Sequence, residues 1–204
     1  IKTDKLTKKF GDFIAANEIT FEVFKGDIFG FLGANGAGKT TAMKMLIGIS
    51  KPSSGNATIA GFDVYKETEK IKKSIGYMSQ KFSLYEDLTI NENIQLFGGI
   101  YGLSDDEIEK RRSELIAKLN LQNEADPITR RQFWDMIYEA SHNGITVFVT
   151  THYMDEAEYC DRVSIMVDGV IKALDSPAGL KKQFNAQSMD EVFIMLARDA
   201  KRGE

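Results

Sequence analysis

Gly33-Ala34-Asn35-Gly36-Ala37-Gly38-Lys39-Thr40 has the spacing G-x-x-x-x-G-K-[ST] in full. A polyphosphate is wrapped by successive backbone N–H groups that point inward. Side chains obstruct that approach, so glycine stands at the tight positions. The segment before it, Ile28-Phe29-Gly30-Phe31-Leu32, is a short unbroken apolar run, the pattern of a strand covered on both faces. After it, Ala42, Met43, Leu46 and Ile47 recur at helical spacing. The prediction is strand, loop, helix, with the positive end of the helix aimed at the anion. Lys39 carries a full charge to the β- and γ-phosphates, the Thr40 hydroxyl is placed to ligate Mg²⁺, and Thr41 adds a hydroxyl to an inner phosphate. Kinases, GTPases, motor ATPases and transport ATPases all use such a loop, so the loop alone does not choose among them.

Outward from the loop, Ile19, Phe21 and Val23 alternate with Thr20 and Glu22 as a half-buried strand, and Lys25-Gly26-Asp27 makes a turn. Pro52 to Gly55 reads as a loop, and Ala57 to Ala60 and Ile75 to Met78 as short strands. Thr89/Glu92, Ser104/Glu107 and Ser188/Glu191 are spaced as capping boxes that open helices. Phe133, Trp134, Ile137 and Tyr138 line one face of a helix that Asn143-Gly144 ends. Ile145 to Val149 is a second buried strand that runs into Thr150-Thr151-His152. Asp168-Gly169 between Val163–Val167 and Val170–Leu174 signals a two-residue hairpin, a better account of Asp168 than metal binding.

Charged residues make up 27% of the 204 and hydrophobic ones 43%, ordinary values for a folded chain that exclude disorder or a collagen-like repeat. The formal charge of -4 makes a poor general binder of nucleic acid. A single cysteine, Cys160, cannot form an internal disulfide and suits a reducing compartment. No apolar run approaches the ~20 residues that span a bilayer, and no signal peptide is read. Ile1 in place of Met leads us to expect that the true start lies upstream.

From Gly33 onward the chain resembles the ATP-binding cassettes of ABC transporters. Leu6-Thr7-Lys8-Lys9-Phe10-Gly11 is similar to the amino-terminal strand whose aromatic, here Phe10, stacks on adenine. Tyr77-Met78-Ser79-Gln80 resembles the glutamine loop, in which Gln80 touches Mg²⁺ and the attacking water. Phe82, Leu84 and Tyr85 then fall where the family meets its membrane partner. His152 resembles the switch histidine at the γ-phosphate, and Asp126-Pro127 the loop that places an aspartate, here Asp126, at the dimer interface. The resemblance implies a nucleotide set of Phe10, Gly33, Ala34, Asn35, Gly36, Ala37, Gly38, Lys39, Thr40 and Thr41, with Lys39, Gln80 and His152 in catalysis and Thr40 and Gln80 at the metal.

Two family motifs are absent: the LSGGQ signature, and the apolar run ending in Asp-Glu that supplies the general-base glutamate. Both belong just before Asp126. We therefore expect a stretch of roughly 40 residues to be missing near 124/125. Loss of a central strand should expose two inner sheet edges, so a natural deletion is the least favoured account, and a chain joined across a gap is favoured over that and over an engineered deletion.

The expected fold is α/β: a P-loop NTPase core on a mostly parallel sheet, an antiparallel β subdomain from the amino-terminal strands, and a partial helical subdomain at about 88–124, within one domain over 1–204. The resemblance implies an ATP- and Mg²⁺-using ATPase, peripheral on the cytoplasmic face of the cell membrane. It would act as a homodimer or paired cassette that drives transmembrane permease subunits. Gln80 to Thr89 looks most like ATPases of exporters. The alternatives are a non-transport ABC ATPase acting on ribosome or DNA, and a soluble P-loop kinase.

Overall fold

The computed structural model describes residues 1–78, 85, 87–118, 130–198 and 200. The chain divides into two compact units, Ile1–Ile75 with Met136–Glu204, and Gly76–Asp135.

In the first unit, β1 (Lys2–Phe10) and β2 (Phe13–Glu22) form a hairpin. They join β4 (Ser54–Ile59) and β5 (Phe62–Asp63) in an antiparallel sheet of order β2-β1-β4-β5. A second sheet has the order β6-β3-β7-β8, from β3 (Ile28–Leu32), β6 (Val147–Thr151), β7 (Arg162–Val167) and β8 (Val170–Asp175). β3 is parallel to both β6 and β7, and β8 closes antiparallel on β7 through the Asp168-Gly169 turn. All five residues of β3 are buried, which is why it carries no polar alternation.

The core joins the two sheets. The rings of Phe21, Phe29, Phe31 and Phe148 lie 5.4 to 6.0 Å apart, the spacing at which aromatic pairs add to simple burial. Ala42 and Met45 of α1 (Lys39–Leu46) pack against the same cluster, which holds the helix behind the loop. α2 (Thr68–Ser74) buries only Ile71. A 3-10 turn (Met154–Tyr159), α6 (Pro177–Gln183) and α7 (Met189–Ala197) complete this unit.

The second unit holds α3 (Ile90–Ile100) and α4 (Asp105–Lys118). Buried Asn93 pins the approach to α3: its amide accepts from Tyr85 N–H at 2.9 Å and donates to the Leu88 carbonyl at 3.0 Å. α5 (Arg130–His142) runs from this unit into the first.

The boundaries correct several expectations. Ile75 to Met78 is not a strand; Ile75 leaves α2 in an extended conformation, and the segment pairs with no strand among the described residues. β4 begins at Ser54, inside the expected loop, and ends at Ile59, because Ala60 and Gly61 form its turn. β6 starts two residues late, at Val147. The Thr89 and Ser104 capping boxes are complete. At Ser188 only one arm forms: Glu191 reaches past it to the Gln187 N–H. Finally, β3 keeps a neighbour on each side. Among the described residues, β6 and β8 are the outer strands of its sheet, and no gap separates inner strands.

Candidate functional site: the phosphate loop

Residues 33–38 leave the carboxyl end of β3 and enter α1. Gly33 and Gly38 are glycine for two reasons at once. Both have positive φ, +152° and +105°. A side chain at Gly33 would overlap the Met166 carbonyl, and one at Gly38 the Ala15 carbonyl. The loop is thus set flush against β7 on one side and β2 on the other. Asn35 and Gly36 stand exposed at its crest.

The Ala42 N–H donates to the Gly38 carbonyl at 3.0 Å, closing the first helical bond. The amides of Lys39, Thr40 and Thr41 precede it, so they form the open, positive end of α1. No acidic residue lies in that first turn. Thr40 is exposed and Thr41 half-buried. The Lys39 ammonium donates to the carbonyls of Gly33 at 2.5 Å and Ala34 at 2.9 Å. Burial pulls its pKa below the ordinary lysine value. A half-desolvated ammonium beside a ring of amides is chemistry for an anion with several oxygens.

His152 follows the last residue of β6. Leu32 pairs with Thr151 in the parallel register, so the strand ends that carry Gly33 and His152 are neighbours. His152 is exposed, and its ring stands 4.1 Å from that of Tyr153. Thr151, buried, turns the chain there by accepting from Tyr153 N–H at 3.0 Å.

Phe10 ends β1, opposite Phe13 across the hairpin turn, and is 56% exposed, so its ring is open to stacking. Lys8 Nζ lies 5.2 Å over it. Ala15, whose carbonyl abuts Gly38, is two residues beyond Phe13 on β2, so the hairpin and the loop are joined by one short strand segment.

Tyr85 is exposed in the second unit, with its ring 6.4 Å from Phe97. Gln80, Phe82, Leu84 and Asp126 lie outside the described residues. Among the described residues there is no cluster of His, Cys, Asp and Glu suited to a metal. Cys160 is buried and its thiol is pushed up to about 12 by burial, then by Asp161 and Glu156, so it is an inert core residue. Sequence reasoning missed Met166, Gly169 and Ala15, which hold the loop through backbone atoms and carry no side-chain signal.

A glycine loop between a buried parallel strand and a helix, with its lysine at the cradle, defines a P-loop nucleotide-binding protein of the α/β class. A family model described as ABC transporter matches residues 16–137, and the chain belongs to that family. It is 38% identical over 241 residues to "Probable multidrug ABC transporter ATP-binding protein YbhF" of Escherichia coli, covering 98% of this chain and 42% of that protein. It is 29% identical over 244 residues to the linearmycin resistance ATP-binding protein LnrL of Bacillus subtilis, covering 97% of this chain and 78% of that one. The chain therefore spans less than half the length of YbhF.

Among solved structures, an ATP binding subunit of an ABC transporter superposes with a TM-score of 0.83 at 24% identity, over 96% of this chain and 98% of that one. A dimeric ATP-binding cassette bound to ADP and Pi gives 0.72 at 19%, over 86% and 97%. These two likenesses speak for the fold. No helix among the described residues is long and apolar enough to cross a membrane.

Proposed function

We propose that this chain is an ATP-binding and ATP-hydrolysing cassette of an ABC transporter that drives a separate transmembrane partner. The observation that carries the reading is the phosphate loop, seated between β3 and α1 with Lys39 poised at its mouth, in a chain of this family. The loop amides and the open end of α1 bind the phosphates. Lys39 exchanges the Gly33 and Ala34 carbonyls for β- and γ-phosphate oxygens. Phe10 offers its exposed ring to the adenine. His152, at the strand end beside Gly33, holds the γ-phosphate and orders the attacking water.

The Thr40 hydroxyl, a hard oxygen donor exposed at the start of α1, fits Mg²⁺, and Gln80 would be the second residue to hold it. Held there, Mg²⁺ would supply positive charge that offsets that of the phosphates. Phe82, Leu84 and Tyr85 form the contact with the transmembrane partner, and Asp126 faces a second cassette, in a homodimer or paired arrangement on the cytoplasmic face of the membrane. The helical subdomain is assigned to about 88–124 within a single cassette, 1–204, with 119–124 lying outside the described residues. The intact cassette carries a further segment near 124/125, which brings the signature and the general-base glutamate; the chain without it binds ATP and turns it over poorly. Relatives named for multidrug transport and for linearmycin and doxorubicin resistance favour an exporter.

The test is purification with membranes, followed by ATP turnover. The protein should copurify with a membrane subunit and hydrolyse ATP, and Lys39→Ala should abolish binding or turnover with the fold standing. Unchanged turnover in Lys39→Ala overturns the assignment. Salt-sensitive binding to RNA in place of membrane association would favour action on ribosome or DNA, a reading that the net charge of -4 disfavours.

A further inference from the structure

The phosphate loop is tied in two ways that differ in permanence. The carbonyls of Gly33 and Ala34 are held by the Lys39 ammonium, which must release them to reach a phosphate. The Ala37 carbonyl is held instead by the N–H of Gly169, 2.9 Å away in the turn between β7 and β8. Binding an anion need not disturb that bond. The Gly169 carbonyl accepts from Asn17 N–H at 2.7 Å, so the turn is itself pinned to β2.

Asp168 and Gly169 have φ of +50° and +86°, with Val167 paired to Val170, which makes a tight two-residue turn of type I′. Met166, just before the turn, supplies the carbonyl that excludes a side chain at Gly33. Its methyl lies 2.9 Å from where a Cβ on Gly38 would stand. Behind the loop, Phe193 and Ala197 of α7 line a small crevice with Ala34, Ala37 and Asp168.

A peptide plane is rigid and trans, so the carbonyl of Ala37 and the N–H of Gly38 point in opposite directions. Fixing the Ala37 carbonyl outward onto Gly169 fixes the Gly38 N–H inward, toward the phosphates. We propose that the Asp168-Gly169 turn is a positioning element for nucleotide binding, which sets the aim of the loop's inward amides from outside the loop motif. The proposal rests on the nucleotide-binding reading above and adds a determinant of phosphate affinity more than 120 residues downstream of the loop.

The fold supplies its own control. Ala60 and Gly61, with φ of +51° and +83°, form the same kind of turn between β4 and β5, and a Cβ on Gly61 would meet nothing within 4 Å. Gly169→Ala and Gly61→Ala impose the same backbone strain. Both should lower the melting temperature of the intact protein. Only Gly169→Ala should also weaken Mg-ATP binding, by about tenfold, the scale of one misdirected hydrogen bond. Both variants keep the backbone N–H, but Asn tolerates a positive φ better than Ala, so Gly169→Asn should bind within about twofold of wild type.

Should Gly169→Ala not fold, Asp168→Gly and Ala60→Gly loosen the same two turns, and only the first should weaken binding. Equal affinities within either pair overturn the proposal while the wild type still binds Mg-ATP. A wild type that binds no Mg-ATP overturns the functional reading itself, and this inference with it.

Discussion

The Lys39 ammonium folds back onto the loop that precedes it and sits 2.5 Å from the Gly33 carbonyl. Its burial lowers its pKa below 10.5. For a base this means that the folded state disfavours the charged form. Stability therefore rises as pH climbs through the lowered pKa toward 10.5. Phosphates favour the charged form and raise the pKa again when they bind. Nucleotide binding should thus take up a proton at alkaline pH, with uptake fading as pH falls toward neutrality. Calorimetry at about pH 10, near the free-lysine value, in two buffers of different ionisation enthalpy measures this. Equal binding heats in both would refute it.

His152 is exposed and follows Thr151, the register partner of Leu32. It contributes little packing, so its loss should act on chemistry more than on the fold. His152→Ala should lower ATP turnover by about 10²-fold, the usual scale for a group that directs proton or water chemistry. The KM for Mg-ATP should rise only a few-fold, because the γ-phosphate keeps its contacts with the loop amides and Lys39 while the ordering of the attacking water is lost. Steady-state kinetics with a melting curve check both. A variant that loses affinity but keeps kcat would mark His152 as a binding residue only.

The loop was legible in the sequence because it is local: eight consecutive residues hold the motif, with a strand before and a helix after. The Asp168-Gly169 hairpin was legible for the same reason. The order β6-β3-β7 was not, because it depends on pairings more than 100 residues apart, for which no local signal exists. α2 escaped notice because a seven-residue helix with only Ile71 buried shows no periodic stripe. Ile75 to Met78 misled in the opposite sense: its apolar residues look like a strand, but a strand needs a partner, and none of the described residues provides one. In the site, the contacts of Ala15, Met166 and Gly169 run through backbone carbonyls and amides, which any residue type offers. Only glycine at the receiving positions hints at them, and it cannot say what approaches.

Ser164 lies in the middle of β7, paired with Phe31 on one side and Leu174 on the other. Its side-chain oxygen is fully buried and has no hydrogen-bond partner among the described residues. A buried hydroxyl left unpaired carries a desolvation cost with no return. Ser164→Ala should leave stability unchanged or raise it by about 1 kcal/mol. Urea unfolding decides. A clear fall in the midpoint at unchanged m-value would mean that the hydroxyl has a partner in solution.

β6 is an outer strand of its sheet among the described residues, although it is parallel to β3 and its Val147, Phe148 and Val149 are half-buried. Parallel strands seldom border open solvent. The alignment with YbhF runs over 241 residues and takes in 98% of the 204, about 200, so about 40 positions of it have no counterpart here. Both observations favour a further segment in the intact protein, and the absent signature and Asp-Glu motif point to 124/125 for its position. Trypsin cuts after Lys118 and after Arg130. A chain without the segment releases one peptide, residues 119–130, with Glu124 joined to Ala125. In digests of the protein from its natural source, mass spectrometry should find that peptide missing, with a peptide that begins at Leu119 and one that ends at Arg130, each carrying residues of the further segment, in its place. Detection of the 119–130 peptide itself would establish the direct link and leave the cassette without its general base.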